Sequence, residues 1–260
     1  MPINPNGAVI YEGPSRIDGK PIVVIVTGLT NASANTKTDD MVQSWILRAD
    51  ISPLDALRTK QDASICGGCP HRPQEVGFKM VKGVQVQTWF RRSCYVNVAQ
   101  APTAVWNAYK RGSYRRITAG ELSAATSGRL VRLGSYGDPA AAPLAVWQAY
   151  TAQASGWTGY THQWKSERLR DVATLCQASV DSVEEAAKAK SLGLGYFRVA
   201  PIGGERLPDE EGCPASKELG AVTSCASCKK CDGSGRFVVI DAHGIGSSHV
   251  ETRKRLPVLS

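Results

Sequence analysis

The sequence contains no apolar run long enough to cross a membrane, no G-x-S-x-G elbow and no H-E-x-x-H pair, which sets aside membrane spans and two common hydrolase designs. Gly233-Ser234-Gly235 is too short, and too close to cysteines, to cradle a phosphate. Only four histidines are present, so imidazole chemistry has few possible seats. The start, Met1 to Gly7, shows no apolar run behind a basic region, and a cytoplasmic protein is expected. What the chain does have is material for a sizeable core, with 260 residues, 42% of them hydrophobic and 21% charged. Its formal net charge of +8 is a mild bias toward polyanions. Basic residues gather at Arg91-Arg92, Lys110-Arg111, Arg115-Arg116 and Arg253-Lys254-Arg255. Nucleic acid is therefore a candidate partner and a membrane is not, although such pairs also decorate ordinary solvated faces.

Cysteine is where the sequence is rich. Seven of the eight fall into two groups with metal-ligand spacing: Cys66, Cys69 and Cys94, and Cys213, Cys225, Cys228 and Cys231. In the second group a C-x2-C-x2-C run brings three thiolates to one centre, and Cys213, followed by a proline, supplies the fourth. That spacing favours a [4Fe–4S] cluster, with zinc the alternative. Two metal centres are expected. Disulfide frameworks belong mostly to short secreted chains that lack a core, so the thiols are expected to be reduced. The fourth ligand of the first centre is left open between His71 and Cys176, neither of which has more than position in its favour. Cys176 lies in an apolar run, where a lone cysteine usually packs as a small hydrophobe.

Residues 1–120 read as a strand-rich portion carrying the first cysteine group. It includes strands over Ile22–Thr27 and Val84–Phe90, a strand or short helix over Met41–Arg48, and a helix over Thr103–Tyr109. Residues 121–260 alternate strand and helix and carry the second group. Strands are expected at Arg129–Gly134, Gly159–Trp164, Ala173–Ala178, Tyr196–Ala200 and Arg236–Asp241. Helices are expected at Pro143–Ala154, Ser166–Val172 and, behind a Ser182 cap, Val183–Leu192. Short apolar strands joined by crossover helices imply parallel βαβ units, hence an α/β fold whose second portion is a partial parallel β/α barrel. Parallel sheets gather functional groups at the carboxyl ends of their strands. Tyr136, Asp138, His162, Asp181 and His243 fall at those ends, so they are the candidate catalytic residues, expected to face one cavity. Each taken singly is also an ordinary turn or capping residue.

Gly134-Ser135-Tyr136-Gly137-Asp138-Pro139 behind a strand resembles the Gly-Gly-Glu-Pro motif of radical S-adenosylmethionine enzymes. That resemblance covers about the last 140 residues at the level of fold and implies a partial α/β barrel with a [4Fe–4S] cluster at the strand ends. The family takes its cluster thiolates from a C-x3-C-x2-C loop after the first barrel strand, and that loop is not present here. Cys66, Cys69 and Cys94 could hold a cluster with an open iron, but their spacing departs from the family's, and the resemblance therefore stops short of implying that S-adenosylmethionine binds. The Gly-Asp-Pro, Tyr-Thr-His-Gln-Trp and Ala-Ser-Val-Asp segments with the late cysteines are also similar to a group of bacteriophage-encoded, cysteine-rich proteins. No activity comes with that likeness; it would put the protein in the cytoplasm of an infected host cell. The functional expectation is an iron–sulfur protein with a radical-type or degenerate enzymatic role at the strand-end rim. The alternatives are a zinc- or cluster-stabilised nucleic-acid-binding protein, and an electron-transfer or structural iron–sulfur protein.

Overall fold

A computed structural model describes residues 3–31, 38–73, 75–81, 83–89 and 92–244, with 247 and 250. Phe90, Arg91, the basic run 253–255 and the polar stretch 32–37 lie outside the described residues. Twelve strands are present among those described. They are β1 (Gly7–Pro14), β2 (Pro21–Thr27), β3 (Val42–Arg48), β4 (Glu75–Val81), β5 (Val84–Trp89), β6 (Arg115–Arg116), β7 (Leu130–Tyr136), β8 (Gly156–Thr161), β9 (Gln177–Val180), β10 (Tyr196–Ala200), β11 (Glu211–Gly212) and β12 (Phe237–Asp241). β4 and β5 form a hairpin of their own. The other ten share one sheet in the order β11-β12-β10-β9-β8-β7-β3-β2-β1-β6. Every pairing from β3 across to β11 is parallel, and β1, β2 and β3 run antiparallel to their neighbours in that trio. The fold is thus α/β with a mostly parallel sheet.

The expected division at residue 120 is not a break in the sheet. β3, from the first portion, pairs directly with β7, from the second, and is the first strand of the parallel run. Met41–Arg48 resolves as a strand because its alternate residues face two apolar layers: Val42, Ile46 and Leu47 are fully buried. β2 is buried throughout from Ile22 to Val26 and forms the centre of the main core.

The helices are α1 (Pro53–Arg58), α2 (Ala63–Cys66), α3 (Ala101–Lys110), α4 (Ala119–Ala125), α5 (Leu144–Thr151), α6 (Val183–Ser191) and α7 (Cys225–Cys228). α5 crosses from β7 to β8 and α6 from β9 to β10. Ser182 opens α6 as expected, its Oγ accepting from the Glu185 amide at 3.2 Å, and Ala186 and Ala189 bury one face of the helix in a core with Tyr196 and Val180. The helix expected over Ser166–Val172 is instead a 3-10 turn at Arg170–Thr174, which has no side-chain cap. Strand eight comes earlier than expected, because Thr161 and His162 turn toward Asp138 and end it. No described helix is long and apolar enough to cross a membrane.

β8 and β9 pair only at Tyr160–Gln177 and Thr161–Ala178. Below those pairs they part, and residues 230–236 fill the gap. The Gly159 amide donates to the Cys231 carbonyl at 2.8 Å, Trp157 Nε1 to the Asp232 carbonyl at 3.1 Å, and Gln177 Nε2 to the carbonyls of Lys230 and Arg236. The second cysteine group is thereby set at mid-height of the sheet.

Candidate metal centres and the cavity between them

The first cysteine group lies in the connection that follows β3. α2 ends at Cys66, and the backbone then turns through Gly67 at φ +54°. A side chain there would put its Cβ 2.3 Å from Gln163 Oε1, so both conformation and space call for glycine. Gln163 holds the turn from the far side, donating from Nε2 to the Cys66 carbonyl at 3.2 Å and accepting from the Gly68 amide at 3.4 Å. Arg72 clamps it from below. Its guanidinium meets Asp62 twice, at 3.0 and 2.7 Å, and donates to the carbonyls of Gly67 and Lys60. Cys94 is then brought in through its amide, which donates to the His71 carbonyl at 3.1 Å, with Arg92 bonded to the carbonyls of Cys94 and Val96.

The three thiols interact electrostatically. Burial pushes the Cys66 thiol well up, and the neighbouring charges of Asp62, Cys69 and Cys94 push it further. Burial also raises Cys94, against the pull of Arg92. Without a cation such thiols stay protonated; a metal reverses that balance by binding the thiolates.

Beside them stand His71, His162 and Asp181. His71 Nε2 lies 3.0 Å from one Asp181 oxygen and His162 Nε2 3.2 Å from the other, with the two rings edge-on at 5.5 Å. Ser93 Oγ meets His71 Nδ1 at 2.8 Å, and Cys69 Sγ lies 4.0 Å from His162 Nε2. Burial opposes the charged form of Asp181, yet hydrogen bonds from His162 and His71 hold its carboxyl well below the usual range. Burial likewise opposes His162 protonation, and Cys69 together with Asp181 raises its pKa well above the usual imidazole value. This is the only trio of Cys, His, Asp or Glu donors among the described residues whose ligand atoms all lie within 4.8 Å of one another.

Asp138 has a different role from the one its place at a strand end suggests. Its Oδ1 accepts from the Ala140 amide at 3.0 Å and Thr161 Oγ1 at 2.8 Å. Oδ2 accepts from the His162 amide at 2.8 Å and Gln163 Nε2 at 3.3 Å. Four donors fill the acceptor capacity of a carboxylate, which leaves none for proton transfer. The Asp138 amide also donates to the Ile65 carbonyl at 2.6 Å. Asp138 is a brace that ties the ends of β7 and β8 to the Cys66 turn. Tyr136 is the reverse case: its hydroxyl is buried with no hydrogen-bond partner among the described residues. Burial, then the charges of Cys66 and Asp62, push its pKa well up.

The second group assembles around Cys231. The Cys213 amide donates to the Val239 carbonyl at 2.8 Å, mid-way along β12, and Ser224 caps the single turn of α7 that carries Cys225 and Cys228. Lys229, at φ +53°, then reverses the chain to Cys231. Burial pushes the Cys231 thiol up to about 12, opposed by a hydrogen bond with Tyr160 and reinforced by Cys213, Cys225 and Cys228. All four thiols therefore share one neighbourhood. Among the described residues no three of these thiols lie within 4.8 Å of one another. Cys176 belongs to neither group; it is buried in the main core against Gly159.

Between the two groups lies a cavity of about 560 Å³. Cys66, Cys69 and Cys94 line one side, and Cys213 and Cys225 another. Of the five rim residues expected from the sequence, Tyr136, Asp138, His162 and His243 line it, and Asp181 stands behind His162. His243 follows β12, with Nδ1 3.2 Å from the Asp241 carbonyl and its ring stacked on Tyr95. The second cysteine group reaches the cavity from mid-strand and not from the rim, because residues 230–236 enter through the gap below the β8–β9 pairing. Sequence reasoning missed Arg132, Tyr95 and Ser93. A charged residue inside the apolar strand Leu130–Leu133 was the one signal available. No protein-family model, curated protein or solved structure matches the chain.

Proposed function

We propose that the protein is an iron–sulfur enzyme of the radical S-adenosylmethionine type. In this reading Cys66, Cys69 and Cys94 hold one cluster by three thiolates, and Cys213, Cys225, Cys228 and Cys231 close round a second. The observation that carries it is positional. The three-thiol segment follows β3, the first strand of the parallel run, the Gly-Asp-Pro turn follows β7, the second, and both front one cavity. The run β3-β7-β8-β9-β10-β12, neighbours in the sheet that rise in chain order, supports a partial barrel. A cluster held by these three thiolates would supply one-electron reduction chemistry. The chain's own residues do the rest. The Tyr136 hydroxyl offers a hydrogen bond toward the thiolates, His162 holds a proton at Nε2, and Asp181 orients both imidazoles. Asp138 positions the Cys66 turn.

One contact favours a second reading. His162 Nε2 at 4.0 Å from Cys69 Sγ is close enough for an imidazole to become the fourth ligand, which would make the first centre closed and the protein structural or electron-transferring. A nucleic-acid role has less behind it, since Arg115 and Arg116 are paired with Glu121 and Glu12. Anaerobic purification, an absorption spectrum and iron, sulfide and zinc analysis test the proposal, followed by calorimetric titration with S-adenosylmethionine. A brown protein that binds the cofactor is expected. A colourless zinc protein, or an iron–sulfur protein indifferent to S-adenosylmethionine, would refute it.

A further inference from the structure

Arg132 sits in the middle of β7 with 8% of its surface exposed and lines the cavity. The other arginines there are engaged: Arg72 by Asp62, Arg92 by two backbone carbonyls. Arg132 meets no carboxylate among the described residues. Its Nη2 donates to the Tyr95 hydroxyl at 2.7 Å, and its Nε is buried with no partner. A buried guanidinium without an anion is costly, and the side chain cannot shed its proton to escape.

Two anions could meet it. The thiols of Cys225 and Cys231 are near and would offset part of its charge when ionised, but Arg132 makes no hydrogen bond to either sulfur, its one side-chain partner being Tyr95. The alternative is a ligand in the cavity. A planar fork with one hydroxyl beside it suits a single carboxylate, which can take two parallel N–H bonds. The walls match such a ligand. Tyr95 stacked on His243 and Tyr160 tilted against Phe197, with centroids at 5.5 and 4.7 Å, line the same cavity as Arg132. We propose that Arg132 anchors the carboxylate of a small substrate whose flat apolar body lies between these two aromatic pairs. Calling that ligand a substrate rests on the enzyme reading above; the anion site does not.

Benzoate and benzamide are nearly the same shape and differ in charge, so they isolate the guanidinium. Titrated by calorimetry into the metal-loaded chain, benzoate should bind at least about tenfold more tightly than benzamide. Arg132→Gln should remove that preference while metal content and benzamide binding stay unchanged, and Arg132→Lys should retain part of it. Equal or absent binding of the two probes by the unmodified protein overturns the proposal, a comparison that stands even if Arg132→Gln does not fold. Loss of metal in Arg132→Gln without any benzoate site in the parent would assign Arg132 to the second centre and also overturn it. Displacement of benzoate by S-adenosylmethionine would give the site to the cofactor's carboxylate and overturn the substrate assignment. A zinc protein that binds benzoate through Arg132 would refute the enzyme reading alone; an iron–sulfur protein that ignores benzoate would refute the anion site alone.

Discussion

Asp138→Asn is the most informative single change, because it keeps shape and removes charge at a residue whose four acceptor contacts are all made. The asparagine carbonyl can replace Oδ1 and keep the Ala140 amide and Thr161 hydroxyl. Its NH2 would then face two donors, the His162 amide and Gln163 Nε2. Gln163 could flip its own amide only by abandoning the Cys66 carbonyl and Gly68 amide that it holds. Losing two bonds to a charged acceptor, each about 1.5–3 kcal/mol, and leaving a buried N–H unmet gives an expected cost of about 3–5 kcal/mol. For a chain of this size that lowers Tm by roughly 10 °C. An aspartate in an ordinary exposed turn would tolerate the change within about 0.5 kcal/mol, so the two roles are well separated. The assay is thermal unfolding followed by circular dichroism, together with metal and sulfide content per chain. Metal should fall toward the content of one centre, since the Cys66 turn loses its brace and the Cys213 group does not touch it. A melting temperature within about 2 °C of the parent at full metal content would refute the brace.

Cys228→Ala should lower metal content and destabilise the fold, because metal affinity contributes directly to folding free energy; full occupancy measured by elemental analysis would show that Cys228 is not a ligand. Gly67→Ala should cost at least about 1–3 kcal/mol in denaturant unfolding, from a positive φ and displacement of Gln163, and a silent substitution would mean that the turn is not held as described. Glu210→Ala removes the carboxylate that meets buried Arg198 at 2.5 Å and should cost about 3–5 kcal/mol by chemical denaturation, with an exposed-pair value near zero counting against that burial. Glu121 is held at about 2, below its unfolded value, by the Thr118 amide and Arg115. Its contribution to α4 is therefore present above the unfolded pKa and lost as pH falls through about 2; NMR titration of the carboxyl should find that midpoint, and one above 4 would contradict it.

Strands β2, β10 and β12 were legible because each is a short apolar run between turn residues, and they fall within a residue of expectation, whereas β8 begins three residues early and β9 four residues late. Segment Ser166–Val172 was not, since Ser166-Glu167-Arg168 carries helix-forming charge but no cap, and only tertiary contacts decide between a helix and a 3-10 turn. Spacing suggested that Cys69 and Cys94 approach Cys66 and that Cys213, Cys225 and Cys228 approach Cys231. His71 was visible only by proximity, and its pairing with Asp181, more than a hundred residues away, depends on how β9 registers against β8. For Asp138, sequence shows that a carboxylate is at a strand end but not how many donors already point at it. Arg132 went unnoticed for a related reason: a strand interior is where a charge is least expected, and its surroundings, Tyr95, Tyr160, Cys225 and Cys231, come from distant segments of the chain.

The parting of β8 from β9 has a consequence for how the molecule is made. Residues 230–236 serve as the missing lower rungs between two strands that precede them by fifty residues or more, so neither strand has its full complement of bonds until that later segment is synthesised and inserted. The nascent chain would hold an open seam beneath the cavity, and the event that zips it is the same one that gathers the Cys213 thiols. On the metal reading proposed above, loading of the second centre would also seal the cavity floor, and a chelator acting there would reopen the seam to solvent and protease.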